Sequence, residues 1–96
     1  MNVGEMKQKT SFLLEKHGVR YAGLFGSRAR GETHSASDFD ILVGFSRPIG
    51  LFEFVELEQE LSKSLRGAID LVTEDALSPY IRESVFRDLR IFYGQR

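Results

Sequence analysis

The sequence predicts an α/β (α+β) domain: a small mixed sheet with helices packed on it. Two observations carry that expectation. From Phe39 to Phe45, the residues Phe39, Ile41, Val43 and Phe45 alternate with Asp40, Leu42 and Gly44, the period of a strand. From Leu51 to Leu65, the residues Leu51, Phe54, Leu57, Leu61 and Leu65 form one stripe at helical spacing. Segments of these two kinds interleave along the chain as α-β-turn-β-α-β-α-β.

The first helix runs from Glu5 to His17, where Met6, Thr10, Leu13 and His17 recur at helical spacing and Phe12 and Leu14 widen the stripe. Gly18 stands where a left-handed cap would end it. Val19 to Phe25 is apolar and β-prone and stops at Gly26-Ser27, a strand entering a tight turn. Ser27 to Ser37 is polar and irregular, with room for one helical turn over Ser27 to Gly31 and then a loop. After the Phe39–Phe45 strand, Ser46-Arg47-Pro48-Ile49-Gly50 reads as a loop. The second helix has Glu53, Glu56, Glu58, Glu60 and Lys63 on its wet face and Gly67 as its stop. Ile69 to Thr73 is a third strand. Ser78-Pro79 is a capping serine followed by proline at the first helical position, opening a helix to about Asp88. Arg90 to Tyr93 is a last short strand.

Composition narrows the function. Ninety-six residues make one domain, 1–96, with one site. Thirteen Lys and Arg against fourteen Asp and Glu give a net charge of -1, which argues against direct nucleic-acid binding or a membrane-surface role. With no cysteine, disulfide frameworks, zinc fingers and thiol catalysis are excluded. No apolar run approaches the roughly 18 residues of a membrane span, and the first residues do not read as a signal peptide. The expected location is cytoplasmic.

Three carboxylates stand out by position. Asp38 and Asp40 are two apart at the start of a strand, so their side chains leave the same face, opposite Phe39, Ile41 and Val43. Asp70 lies between Ile69 and Leu71, where an apolar residue is expected. Burying three like charges together is costly unless cations neutralise them. Two divalent ions about 3.5–4 Å apart would do so. Oxygen-only ligands favour Mg²⁺ or Mn²⁺. The bland alternative is that the pair merely ends a loop and Asp70 is a turn acid.

Leu24-Phe25-Gly26-Ser27-Arg28-Ala29-Arg30-Gly31 adds a second feature: a strand, a small-residue turn and a helical turn. Gly26, read as a turn residue that tolerates negative φ, lets a ligand approach the backbone. Ser27 offers a hydroxyl and an amide, and Arg28 and Arg30 supply nearby positive charge, a combination suited to phosphate. A plain turn with solvated arginines is the rival reading. Neither a Walker loop nor a dinucleotide fingerprint is present.

Together the two features read Gly26-Ser27, ten residues, Asp38, one residue, Asp40. This resembles the Gly-Ser-x10-Asp-x-Asp signature of the DNA polymerase β-like nucleotidyltransferase superfamily. The runs Phe25–Gly31 and Ser37–Val43, with Ile69–Val72 and Ala76–Ile81, resemble its minimal nucleotidyltransferases in particular. The resemblance implies that Asp38, Asp40 and Asp70 are metal ligands and that Gly26 and Ser27 hold the terminal phosphates of ATP. Asp70 would also be a candidate to accept the acceptor's proton. It assigns neither Arg28 nor Arg30 to a particular phosphate.

Two functions follow. The first is an Mg²⁺-dependent enzyme that transfers AMP from ATP to a protein hydroxyl. By the resemblance, that hydroxyl is a tyrosine of a HEPN ribonuclease toxin, and the chain is its antitoxin, in a hetero-oligomer or as a homodimer. The second is a catalytically idle nucleotide-binding module that neutralises the toxin by masking it. Three clustered acids speak for the enzyme, because a pure binder gains nothing from them.

Overall fold

The computed structural model describes residues 2–26, 29 and 39–96. Among them are three α-helices, a one-turn 3₁₀ helix and one four-stranded sheet. The predicted helical turn over Ser27 to Gly31 and the loop to Ser37 fall largely outside the described residues.

Helix α1 (Val3–Lys16) starts at Asn2, whose side-chain oxygen accepts the Glu5 N–H at 2.8 Å. It ends where Gly18 takes φ +72°, the left-handed conformation expected there. Met6, Thr10 and Leu14 are its buried residues, and the Thr10 hydroxyl is satisfied by donating to the Met6 carbonyl at 2.6 Å. Phe12 does not join the stripe. It is 77% exposed, because helical geometry turns it away from the side that Leu14 buries.

Strand β1 (Val19–Phe25) pairs antiparallel with β2 (Phe39–Phe45) on one side and with β4 (Arg90–Gly94) on the other. β2 in turn pairs parallel with β3 (Ile69–Thr73), giving the order β3-β2-β1-β4 in a mixed sheet. Helix α2 (Leu51–Leu65) makes the parallel connection between β2 and β3. A bulge between Val19 and Tyr21 offsets the alternation of β1, so these two side chains enter opposite faces.

The first face packs Ala22, Leu24, Phe39, Ile41, Val43, Leu71 and Phe92 against Met6 and Leu14 of α1 and Leu57, Leu61 and Leu65 of α2. The second face is less covered. There Tyr21 and Leu42 meet Leu77 and Val85, the latter from α3 (Pro79–Asp88). Helix α3 opens as the sequence predicts, with the Ser78 hydroxyl accepting the Tyr80 N–H at 3.3 Å and Pro79 in the first turn.

Two local details differ from expectation. The left-handed residue ending α2 is Arg66, at φ 56°, and not Gly67. Gly67 is small for another reason: a Cβ on it would lie 2.9 Å from the Phe39 ring. Leu51, at the head of the predicted α2 stripe, is 73% exposed. The 3₁₀ turn Glu74–Ala76 carried no sequence signal that separates it from a loop.

Candidate functional site

The topology brings separate parts of the sequence to one end of the sheet. β1 runs out at Gly26 just where its antiparallel neighbour β2 begins, with Phe25 opposite Asp40. Asp40 in turn lies opposite Asp70 on β3. Strands sit about 4.8 Å apart, so in-register residues of neighbouring strands put their side chains side by side on one face. Because Phe39 and Ile41 point into the core beneath α2, Asp40 points to the other, more open face. Two acids 30 residues apart in sequence thus become neighbours on one surface.

Their burial differs from the sequence reading. Asp40 is half-buried, but Asp70 is exposed, because β3 is an edge strand. The desolvation argument therefore does not apply to Asp70. What remains is like-charge proximity, which a divalent cation relieves. The donor set fits such an ion: carboxylate oxygens suit Mg²⁺ or Mn²⁺.

Gly26 also departs from expectation. Its φ is +76°, so it does not occupy the negative-φ turn assumed from sequence. A Cβ built on it would overlap a carboxylate oxygen of Asp40, with the Asp40 Cγ 3.2 Å away. The missing side chain thus makes room for the acid. Of the other predicted site residues, Ser27, Arg28, Arg30 and Asp38 lie outside the described residues. Ala29, between the two arginines, is buried in the helix-covered core.

Two further polar clusters were not singled out from sequence. On the second face, the buried Tyr21 hydroxyl donates to Glu74, which also receives Arg96 Nε at 3.1 Å. Burial and this bond to Glu74 push the Tyr21 hydroxyl up to about 12. Glu74 is held below its ordinary range by Tyr21 first and then Arg96. The ring fits because Gly44 lies opposite it, where a Cβ would run into Tyr21. A tyrosine facing a glycine across a strand pair was the available signal, but only once the register is known. Tyr21, Gly44 and Glu74 line a cavity of about 270 Å³. An apolar groove of about 480 Å³ runs between Ile49, Leu51, Phe54 and Leu71. Neither includes Asp40 or Asp70. The second cluster joins His17 to Glu53 and Glu60 of α2, on the helix-covered side.

The chain is thus a small mixed sheet that sets Asp40 and Asp70 in register beside the Gly26 turn. The chain belongs to the family described as "Polymerase beta, Nucleotidyltransferase", whose model matches residues 7–96. A Methanocaldococcus jannaschii protein, provisionally named a protein adenylyltransferase, is 38% identical over 88 residues, covering 92% of this chain and 95% of that relative. The protein adenylyltransferase MntA of Thermococcus cleftensis is 43% identical over 77 residues, 80% of this chain and 78% of that one. A crystal structure of a toxin–antitoxin with AMP-PNP superposes with a TM-score of 0.77 at 27% identity, covering 94% of this chain and 74% of that chain. Among the described residues, no helix is long and apolar enough to cross a membrane.

Proposed function

We propose that this chain is a protein adenylyltransferase that moves AMP from ATP onto a hydroxyl of a HEPN-type toxin, for which it is the antitoxin. The observation that carries the reading is the register of Asp40 with Asp70 beside Gly26. The names of the relatives support it, since both are protein adenylyltransferases by name.

In this reading Asp38, Asp40 and Asp70 would hold Mg²⁺ or Mn²⁺, which would supply charge neutralisation for the triphosphate and the developing leaving group. Gly26 and Ser27 seat the terminal phosphates, with Arg28 and Arg30 as nearby positive charge. The acceptor oxygen attacks the α-phosphorus in line. The bond from that phosphorus to the bridging oxygen breaks, and pyrophosphate leaves with the electron pair. Asp70 takes the proton of the attacking hydroxyl. Its exposure on an edge strand supports that role, because a hydroxyl carried by another protein must reach the site from outside. A cytoplasmic location goes with this reading, as ATP is its co-substrate.

The test is intact-mass analysis of a HEPN-type toxin co-expressed with the chain. The expected result is a gain of whole adenylyl groups with the wild type and none with Asp38→Asn plus Asp40→Asn. A toxin neutralised by the wild type without any gain in mass would replace transfer by masking.

A further inference from the structure

His17 closes α1 and is 3% exposed. Its Nδ1 lies 3.0 Å from Glu53 Oε2 and its Nε2 lies 2.6 Å from Glu60 Oε1, both on α2. A neutral imidazole carries one N–H and one lone pair, so it could donate to only one of these carboxylates. It would turn the lone pair of its other nitrogen against the second. Both contacts are satisfied only when both nitrogens carry protons.

The surrounding charges agree. On α1, Lys16 Nζ is 3.1 Å from Glu60 Oε2. From the loop before α2, Arg47 Nη2 is 3.0 Å from Glu53 Oε2, and Arg47 packs over Gly18. On α2, Glu56 places its carboxylate beside His17 and Glu60. Glu53, Glu56 and Glu60 are thus balanced by Lys16, Arg47 and one further positive charge, that of protonated His17. Loss of its proton leaves the cluster one negative charge in excess and one hydrogen bond short.

We propose that His17 is a proton-held clamp between α1 and α2, which secures the helix pair when charged and loosens it as pH rises. Burial works against the charge, but the bonds to Glu60 and Glu53 outweigh it, so the imidazole is raised above its ordinary 6.5. Both glutamates are correspondingly held below their ordinary 4.5: Glu60 first by His17, and Glu53 first by Arg47 and then by His17. The sign for His17 follows from linkage. Its contribution is complete below 6.5, the value it has when unfolded, and is lost as pH rises through the higher folded value. The carboxylates contribute fully above 4.5 and lose their share as pH falls through their own lowered values. The clamp is therefore strongest between these limits.

The chain has two histidines, so a His34→Asn background leaves a single imidazole for ¹⁵N NMR. In that background both His17 ring nitrogens should carry protons on the acid side of the titration, with a midpoint above 6.5. Glu60→Gln should lower the midpoint, because the bond to Glu60 does most to raise it. In thermal scans across the same range, the wild type should lose melting temperature as pH rises, and His17→Gln should show a shallower loss. With the intrinsic base-catalysed rate divided out, hydrogen-exchange protection in the last turn of α1 and the first turns of α2 should fall over the same pH interval. A midpoint at or below 6.5, or one unmoved by Glu60→Gln, would overturn the clamp even if His17→Gln does not fold. An equally steep thermal profile in a folded His17→Gln would do the same.

Discussion

Replacing Gly26 by alanine should damage the protein in two separable ways. The first is conformational. At φ +76° an L-residue meets its own backbone, and the left-handed region costs about 1–2 kcal/mol for a residue with a Cβ. For a domain of this size, 1 kcal/mol shifts the melting temperature by about 4–8 °C, so this part alone predicts a drop of roughly 5–15 °C. The second is a collision. The new methyl group falls on the Asp40 carboxylate, which must rotate away or push the strand ends apart. A displacement of about 1 Å at a reacting group costs on the order of 100-fold in rate. The two effects separate in a double-mutant cycle with Asp40→Ala, read by thermal unfolding. Without the carboxylate, Gly26→Ala should cost only the conformational part. With it, the cost should be larger by on the order of 1 kcal/mol, a typical coupling for residues in contact. Transfer per folded molecule, measured on the single variant, should fall about 100-fold. An identical stability cost in both backgrounds would show that Asp40 does not fill the space Gly26 leaves, and a normal transfer rate would detach Gly26 from the chemistry.

The remaining predictions address the acids and the second polar cluster. Asp38→Asn with Asp40→Asn should abolish transfer and leave a cooperative unfolding transition, whereas an unfolded double variant would make the acids structural. ATP should raise the melting temperature substantially only with Mg²⁺, because the clustered acids repel an unneutralised triphosphate; equal stabilisation without the ion would refute this. Tyr21 is raised by burial and by Glu74 from 10.0 to about 12, so the folded state keeps its proton longer than the unfolded chain does. Stability should therefore fall as pH climbs from 10.0 to about 12, and Tyr21→Phe should flatten that decline in denaturant titrations.

Most of the fold was legible because one period dominates each element. The alternation in Phe39–Phe45 and the Leu57-Leu61-Leu65 stripe each have a single way to bury their apolar side, and the observed elements follow both. Turn chemistry was equally readable at Gly18 and Ser78, where conformation or a hydroxyl leaves little choice. What could not be read depended on tertiary neighbours. Gly26, Gly44 and Gly67 look alike in sequence, yet each is small to admit a different side chain: Asp40, Tyr21 and Phe39. His17 was legible as a helix-end residue, but its two carboxylates come from a helix more than 30 residues away. The partnership of Asp40 and Asp70 needed the parallel register of β2 and β3, which no local pattern specifies.

The position of β3 bears on which acceptor the site can serve. As an edge strand it would offer unpaired backbone to any passing strand, and α2 blunts it by turning Glu58 Oε2 toward the Leu71 N–H at 3.4 Å. One residue away, Asp70 remains exposed on the same strand. α3 meets the sheet through Val85, which joins Tyr21 of β1 and Leu42 of β2. A small-molecule acceptor would need enclosing surfaces to be oriented at such a rim. A hydroxyl on a docked protein arrives with its own surface and needs only the rim to be accessible. On the proposed function, the exposure of Asp70, which the sequence reading took for a buried charge, is what a protein acceptor requires.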